Sequence, residues 1–141
     1  MMDHKKILIV DDDRFVREMV KVILTGAGYD VLVAEDGEAA LEMAKAHQPD
    51  LVLTDGLLPK LHGFEVCKAL KALVQPPKVI ILTGVYTKPT YRWQLTREYG
   101  ADAVLNKPVD ANHLLECIAK HLAAAAELTS PWQPNQQPIL Y

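Results

Sequence analysis

The chain has little cysteine, no long apolar run and no excess of positive charge, and each shortage removes a class of protein. Cys67 and Cys117 stand far apart without CxxC spacing, which leaves no disulfide framework. Each falls on an apolar helical face, so both read as small buried hydrophobes rather than a disulfide or zinc site. Nothing approaches the roughly 20 apolar residues of a membrane span. The opening MMDHKK is followed by only ILIV, too short for a secretory signal, so a cytoplasmic protein is expected. Lys and Arg number 15 against 18 Asp and Glu, and the basic residues are scattered, which argues against direct nucleic-acid binding. A glycine-rich phosphate loop is also missing, since the GAG at 26–28 follows a helical stretch and reads as helix termination.

What is present is an alternation. At 141 residues the chain fits one domain able to bury a core without disulfides or metals. Five short apolar runs, KILIV (6–10), DVLVA (30–34), DLVLT (50–54), KVIILT (78–83) and AVLN (103–106), read as strands. Between them lie helical patterns. The first places Phe15, Val16, Met19, Val20, Ile23 and Leu24 on a buried stripe and stops at Gly26 and Gly28. The second runs over 37–47 behind an Asp36 N-cap, and the third from Phe64 to Leu73 before Pro76 and Pro77. A fourth spans 89–99, with Pro89 in its first turn and Gly100 as C-cap. The last is capped by Asp110 and carries Leu114, Leu115, Ile118 and Leu122 inward. These elements predict one domain over 1–126, with a Pro- and Gln-containing C-terminal tail or linker start over 127–141.

Alternating strands and helices imply an α/β fold, a parallel sheet covered by helices on both faces. In such a sheet all strands point one way, and the residues just past their C-termini collect along one rim where ligands bind. Asp11, Asp12 and Asp13 fall there after the first strand, Asp55 after the third, Thr83 and Gly84 at the end of the fourth and Lys107 after the fifth. Asp13 reads as the N-cap of the first helix, and Glu35 and Asp36 as residues that open the second. Three carboxylates from neighbouring strands form an oxygen-rich pocket that calls for a hard cation, and few oxygen ligands with room for water suit Mg2+. Lys107 and Thr83 supply a positive charge and a hydroxyl suited to phosphoryl oxygens, and an aspartate carboxylate can attack phosphorus to form an acyl phosphate.

On these residues the sequence resembles the receiver domains of two-component response regulators, over residues 5 to about 122. ILIVDDDRFVR is similar to the family's acidic-pair motif, PDLVLTDGLLPKLHGFEV to its phosphoacceptor motif, VIILTG to its threonine strand and ADAVLNKPVD to its lysine-proline motif. The resemblance implies a doubly wound, flavodoxin-like sheet of five strands in the order 2-1-3-4-5. It implies Asp55 as phosphoacceptor, Asp11 and Asp12 as the magnesium-holding pair, and the Leu57 backbone carbonyl as a further metal ligand. It implies Thr83 and Lys107 as contacts of the phosphoryl group, and a cis bond between Lys107 and Pro108. The phosphoryl donor would be a histidine kinase or phosphotransfer protein. The output would be a changed protein-binding surface on the predicted helix 89–99, the fifth strand and the last helix, a face also compatible with a homodimer.

Two features depart from the family. Val104 stands where the family has its aromatic switch residue, which makes Tyr86, Tyr91 and Trp93 the candidates to report the signal. Leu57 and Val85 are apolar at sites that influence water access to the acyl phosphate, so slow self-dephosphorylation is expected. An aspartate-dependent phosphatase of the haloacid dehalogenase type needs a second aspartate two positions from the nucleophile, and positions 53 and 57 are both Leu. A receiver-like docking module that is not phosphorylated is the other alternative.

Overall fold

The pleat of each strand sorts its side chains between two cores, and this is what builds the sheet. The computed structural model describes residues 4–56, 63–84 and 96–127. Strands β1 (Lys6–Val10), β2 (Asp30–Ala34), β3 (Leu51–Asp55), β4 (Lys78–Thr83) and β5 (Ala103–Asn106) form one sheet. Their order is β2-β1-β3-β4-β5, the doubly wound order that the resemblance implies, and every pairing is parallel, as the alternation predicts. Strand β3 sits one residue later than the predicted 50–54. Asp50 brackets its start, accepting the Lys6 N–H on its carboxylate at 2.8 Å. At the other end Asp55 stays in register with Leu82, and the Gly56 N–H donates to the Leu82 carbonyl at 2.9 Å.

Successive residues of a strand face opposite sides. Leu8, Val10, Val52, Val79 and Ile81 enter one core, while Ile7, Ile9, Leu51, Leu53, Ile80 and Leu82 enter the other. The first core is closed by Ala40 and Ala44 of α2 (Gly37–His47) and by Val66, Cys67 and Leu70 of α3 (Gly63–Lys71). The second is closed by Val20 and Leu24 of α1 (Arg14–Gly26) and by Leu114 and Ile118 of α4 (Ala111–Glu127). Each fully buried aliphatic side chain contributes about 1.5–3 kcal/mol. Among the described residues no helix is long and apolar enough to cross a membrane.

The helix ends follow the expected chemistry. Asp13 caps α1, its carboxylate accepting the Phe15 N–H at 2.9 Å, and Asp36 caps α2 through the Ala39 N–H at 2.8 Å. Asp110 accepts the His113 N–H at 3.1 Å at the start of α4. Helix α3 stops at Lys71 rather than Leu73, because Ala72 and Leu73 donate to the carbonyls of Ala69 and Leu70 in a tighter, three-residue turn. Of the helix predicted over 89–99, Thr96 and Arg97 are helical and residues 89–95 lie outside the described set. Gly100 has the left-handed φ of 79° that its predicted C-cap role requires.

Two expectations need correction. The α1 stripe is narrower than its periodicity suggests: Val20 and Leu24 are buried, whereas Phe15 is 76% and Met19 49% exposed. Only the residues over the strands find a core, and Phe15, Met19 and Val22 lie on a neighbouring, solvated side of the helix. Cys67 is buried as expected, with its thiol donating to the Tyr99 carbonyl at 3.2 Å and its pKa pushed up by burial to about 12. Cys117, by contrast, is only half-buried, because it sits beside the core line of Leu114 and Ile118 rather than on it.

At the edge where the strands begin, Asp102 gathers several bonds. Its carboxylate accepts the Val79 N–H at 2.8 Å and pairs with Lys71 Nζ at 2.6 Å. Lys71 also donates to the Pro77 carbonyl at 2.8 Å, so α3, β4 and the turn into β5 are tied together there.

Candidate functional site

At the opposite edge, β1 and β3 are direct neighbours, and their ends bring Asp11, Asp12 and Asp55 together. Each can offer one carboxylate oxygen, and these oxygens lie within 4.8 Å of one another. The expected carboxylate pocket therefore forms. Asp11 is buried, held by its N–H to the Ala34 carbonyl at 3.2 Å, and its Oδ1 accepts the Asp13 N–H at 2.9 Å. Its second oxygen faces the pocket. Asp12 is exposed and Asp55 half-buried, so the set has both a fixed floor and a solvent side.

Lys107 enters from the end of β5. Its Nζ lies 3.0 Å from Asp11 Oδ2 and 3.3 Å from Asp55 Oδ2, and its backbone N–H donates to the Thr83 carbonyl at 2.8 Å. Burial pushes the ammonium toward neutrality, but the hydrogen bond to Asp11 and the charges of Asp11 and Asp55 outweigh it and hold its pKa above the ordinary 10.5. The following bond, Lys107 to Pro108, is cis, as the resemblance implied. Thr83 closes β4 and is buried beside Gly56; a Cβ at position 56 would stand 3.4 Å from Thr83 Cβ and 3.5 Å from its Oγ1.

Three carboxylates face one ammonium, so the pocket keeps a net negative charge that suits a hard divalent cation. All its donors are oxygens, and the open side at Asp12 leaves room for water, which fits Mg2+ better than a soft metal. The Leu57 carbonyl lies outside the described residues, as do Val85, Tyr86, Tyr91 and Trp93. Val104 is buried among Val66, Val79 and Ala101 in the first core.

Sequence reasoning missed Arg17. Its Nη1 donates to the Asp11 carbonyl at 2.7 Å and braces the backbone that carries the pocket's buried carboxylate. The one available signal was a cation a turn and a half past the acidic pair. Gly56 was likewise passed over, although a Cβ there would come into ordinary contact with Thr83.

The profile of the response regulator receiver domain family matches residues 7–119. The alkaline phosphatase synthesis transcriptional regulatory protein PhoP of Bacillus subtilis is 35% identical over 128 residues, covering 91% of this chain and 52% of PhoP. The DNA-binding response regulator MtrA of Mycobacterium tuberculosis is 36% identical over 119 residues, covering 84% of this chain and 51% of MtrA. The chain thus spans about half the length of these curated relatives. Among solved structures, a CheY-like receiver domain protein from Methanospirillum hungatei superposes with a TM-score of 0.82 at 33% identity, covering 89% of this chain and 98% of that one. The chemotaxis response regulator CheY4 of Vibrio cholerae gives 0.78 at 33% identity, covering 84% and 98%.

Proposed function

The chain belongs to the response regulator receiver family, and from that premise we propose that it is a Mg2+-dependent phosphoacceptor whose phosphorylated residue is Asp55. The observation that carries this reading is the convergence of Asp11, Asp12, Asp55 and Lys107 at one rim. A carboxylate oxygen of Asp55 attacks the phosphorus of a phosphohistidine on a kinase or phosphotransfer protein. The P–O bond forms as the P–N bond breaks, and the imidazole of the donor leaves with the electron pair and takes up a proton.

Asp11 and Asp12 would hold the cation together with Asp55, and the Leu57 carbonyl would be the further ligand that the family pattern suggests. A bound Mg2+ supplies the positive charge that lets an anionic nucleophile approach an anionic phosphoryl group. Lys107 stays paired to Asp11 and moves its second contact from the Asp55 carboxylate to the incoming phosphoryl oxygens. The Thr83 hydroxyl is the neutral donor at the same edge, and the Lys107 N–H to Thr83 carbonyl bond makes the two respond together. The chain is not an enzyme acting on a separate substrate. Its own chemistry is limited to self-phosphorylation from small donors and slow hydrolysis of the acyl phosphate, because Leu57 and Val85 offer no polar group to orient water.

The product is a binding surface in the cytoplasm, directed at a protein rather than at nucleic acid. The test is incubation with a small phosphodonor and Mg2+, read by intact mass. Wild type should gain one phosphoryl mass, and Asp55→Asn should not. Equal labelling of both would refute the assignment.

A further inference from the structure

The planar peptide unit between Asp11 and Asp12 joins two consecutive carboxylates of the pocket, so its orientation sets both at once. It lies just past the end of β1 and before the start of α1. The strand ladder stops one residue earlier, with Val10 opposite Ala34 and Thr54, and α1 takes up its first bond two residues later, from the Arg17 N–H to the Asp13 carbonyl. The Asp11 carbonyl therefore belongs to neither ladder. Among the described residues its one hydrogen-bond donor is Arg17 Nη1, at 2.7 Å. The helix that carries Arg17 is anchored in turn, by the Asp13 cap and by Val20 and Leu24 in the second core. Arg17 closes a first turn that also carries Arg14 and holds no acid, so its charge opposes the helix macrodipole there. It makes no ion pair among the described residues, so unlike Lys107 it takes no carboxylate oxygen from an incoming cation.

We infer that Arg17 is a positioning residue of the cation site: it fixes the peptide plane shared by Asp11 and Asp12, and so aims both carboxylates while leaving their oxygens unshared. This role rests on the Mg2+-dependent phosphoacceptor reading and deepens it. Without the guanidinium the carbonyl of buried Asp11 loses its protein partner and must turn toward water, and the peptide plane turns with it. Asp12 is exposed and its carboxylate makes no hydrogen bond among the described residues, so that plane is its restraint. Removal of a nearby positive charge acts in the opposite direction, since by itself it favours cation binding. The sign of the change in Mg2+ affinity therefore separates alignment from charge.

Isothermal titration of the full chain with Mg2+ compares wild type, Arg17→Met and Arg17→Lys. Arg17→Met removes the donor, and it should bind Mg2+ at least about tenfold more weakly, the loss that follows when a partner orienting a metal ligand is removed. Arg17→Lys should recover most of that loss, because the contact is a single N–H to one carbonyl and needs no guanidinium fork. With a small phosphodonor, the Mg2+ concentration for half-maximal labelling of Asp55 should rise in Arg17→Met by the same factor while the maximal rate changes far less, a split that general loss of fold would not produce. In the unmutated chain, the Arg17 guanidinium protons should be protected from solvent exchange by NMR and stay protected at saturating Mg2+, since the cation takes carboxylate oxygens and leaves the carbonyl. Equal or tighter Mg2+ binding by Arg17→Met, or release of the guanidinium when Mg2+ is added to wild type, would overturn this role. Wild type that takes no label on Asp55 would instead strike the phosphoacceptor reading, with the Mg2+ titration still deciding the role of Arg17.

Discussion

Replacing Lys107 by Met should separate two properties that are normally expected to fail together. The ammonium makes charge-assisted contacts of 3.0 Å to Asp11 and 3.3 Å to Asp55, both carboxylates largely shielded from solvent. Such bonds are worth about 1.5–3 kcal/mol each in net terms. A cation entering the pocket must share the same oxygens. If its entry costs the longer of the two contacts, wild type forfeits about 1.5 kcal/mol that Lys107→Met does not, roughly a tenfold difference in Kd. Isothermal titration with Mg2+ should therefore show tighter binding in the variant. Phosphorylation from a small donor, followed by intact mass, should at the same time slow by about a hundredfold or more, the cost of losing one preorganised donor to developing charge. Unchanged or weaker Mg2+ affinity would refute the competition between ammonium and metal. Undiminished phosphorylation would refute the role of Lys107 toward the phosphoryl group.

The same lysine sets a stability signature in alkali. Its folded pKa lies above the 10.5 of an ordinary lysine, so its contribution is complete below that pH and is lost as pH rises through the folded value. Urea unfolding should show wild type losing stability above that point faster than Lys107→Met, and parallel curves would contradict the pairing. In the core, Ile80→Ala should cost about 2–5 kcal/mol, whereas Phe15→Ala on the solvated side of α1 should stay within about 0.5 kcal/mol. A large loss at Phe15 would show that this side is covered. Asp36→Ala should remove about 1 kcal/mol by stranding the Ala39 N–H, measured in the same urea experiment.

The sheet was legible in the sequence because each strand is a short apolar run bounded by turn residues, and the period of the segments between them is helical. The rim was legible for a different reason. Parallel topology sends every strand's C-terminal residues to one edge, so the alternation alone groups Asp11, Asp12, Asp55, Thr83 and Lys107. The width of the α1 stripe was not legible. Periodicity reports which residues share a helical side, but burial of Phe15 or Met19 depends on how far the sheet extends beneath them. Arg17 was hidden because its partner is a backbone carbonyl, and carbonyls carry no sequence signature.

The bonds collected on Asp102 make the sheet behave as a beam clamped at one end. With Lys71, the Val79 N–H and His121 all fastened to that residue, β4 and β5 cannot slide past α3 or α4 at their starting edge. Under the proposed phosphorylation of Asp55, a pull on Lys107 at the far tip meets a sheet whose starting edge is held, so the displacement falls at the rim and not at the clamp.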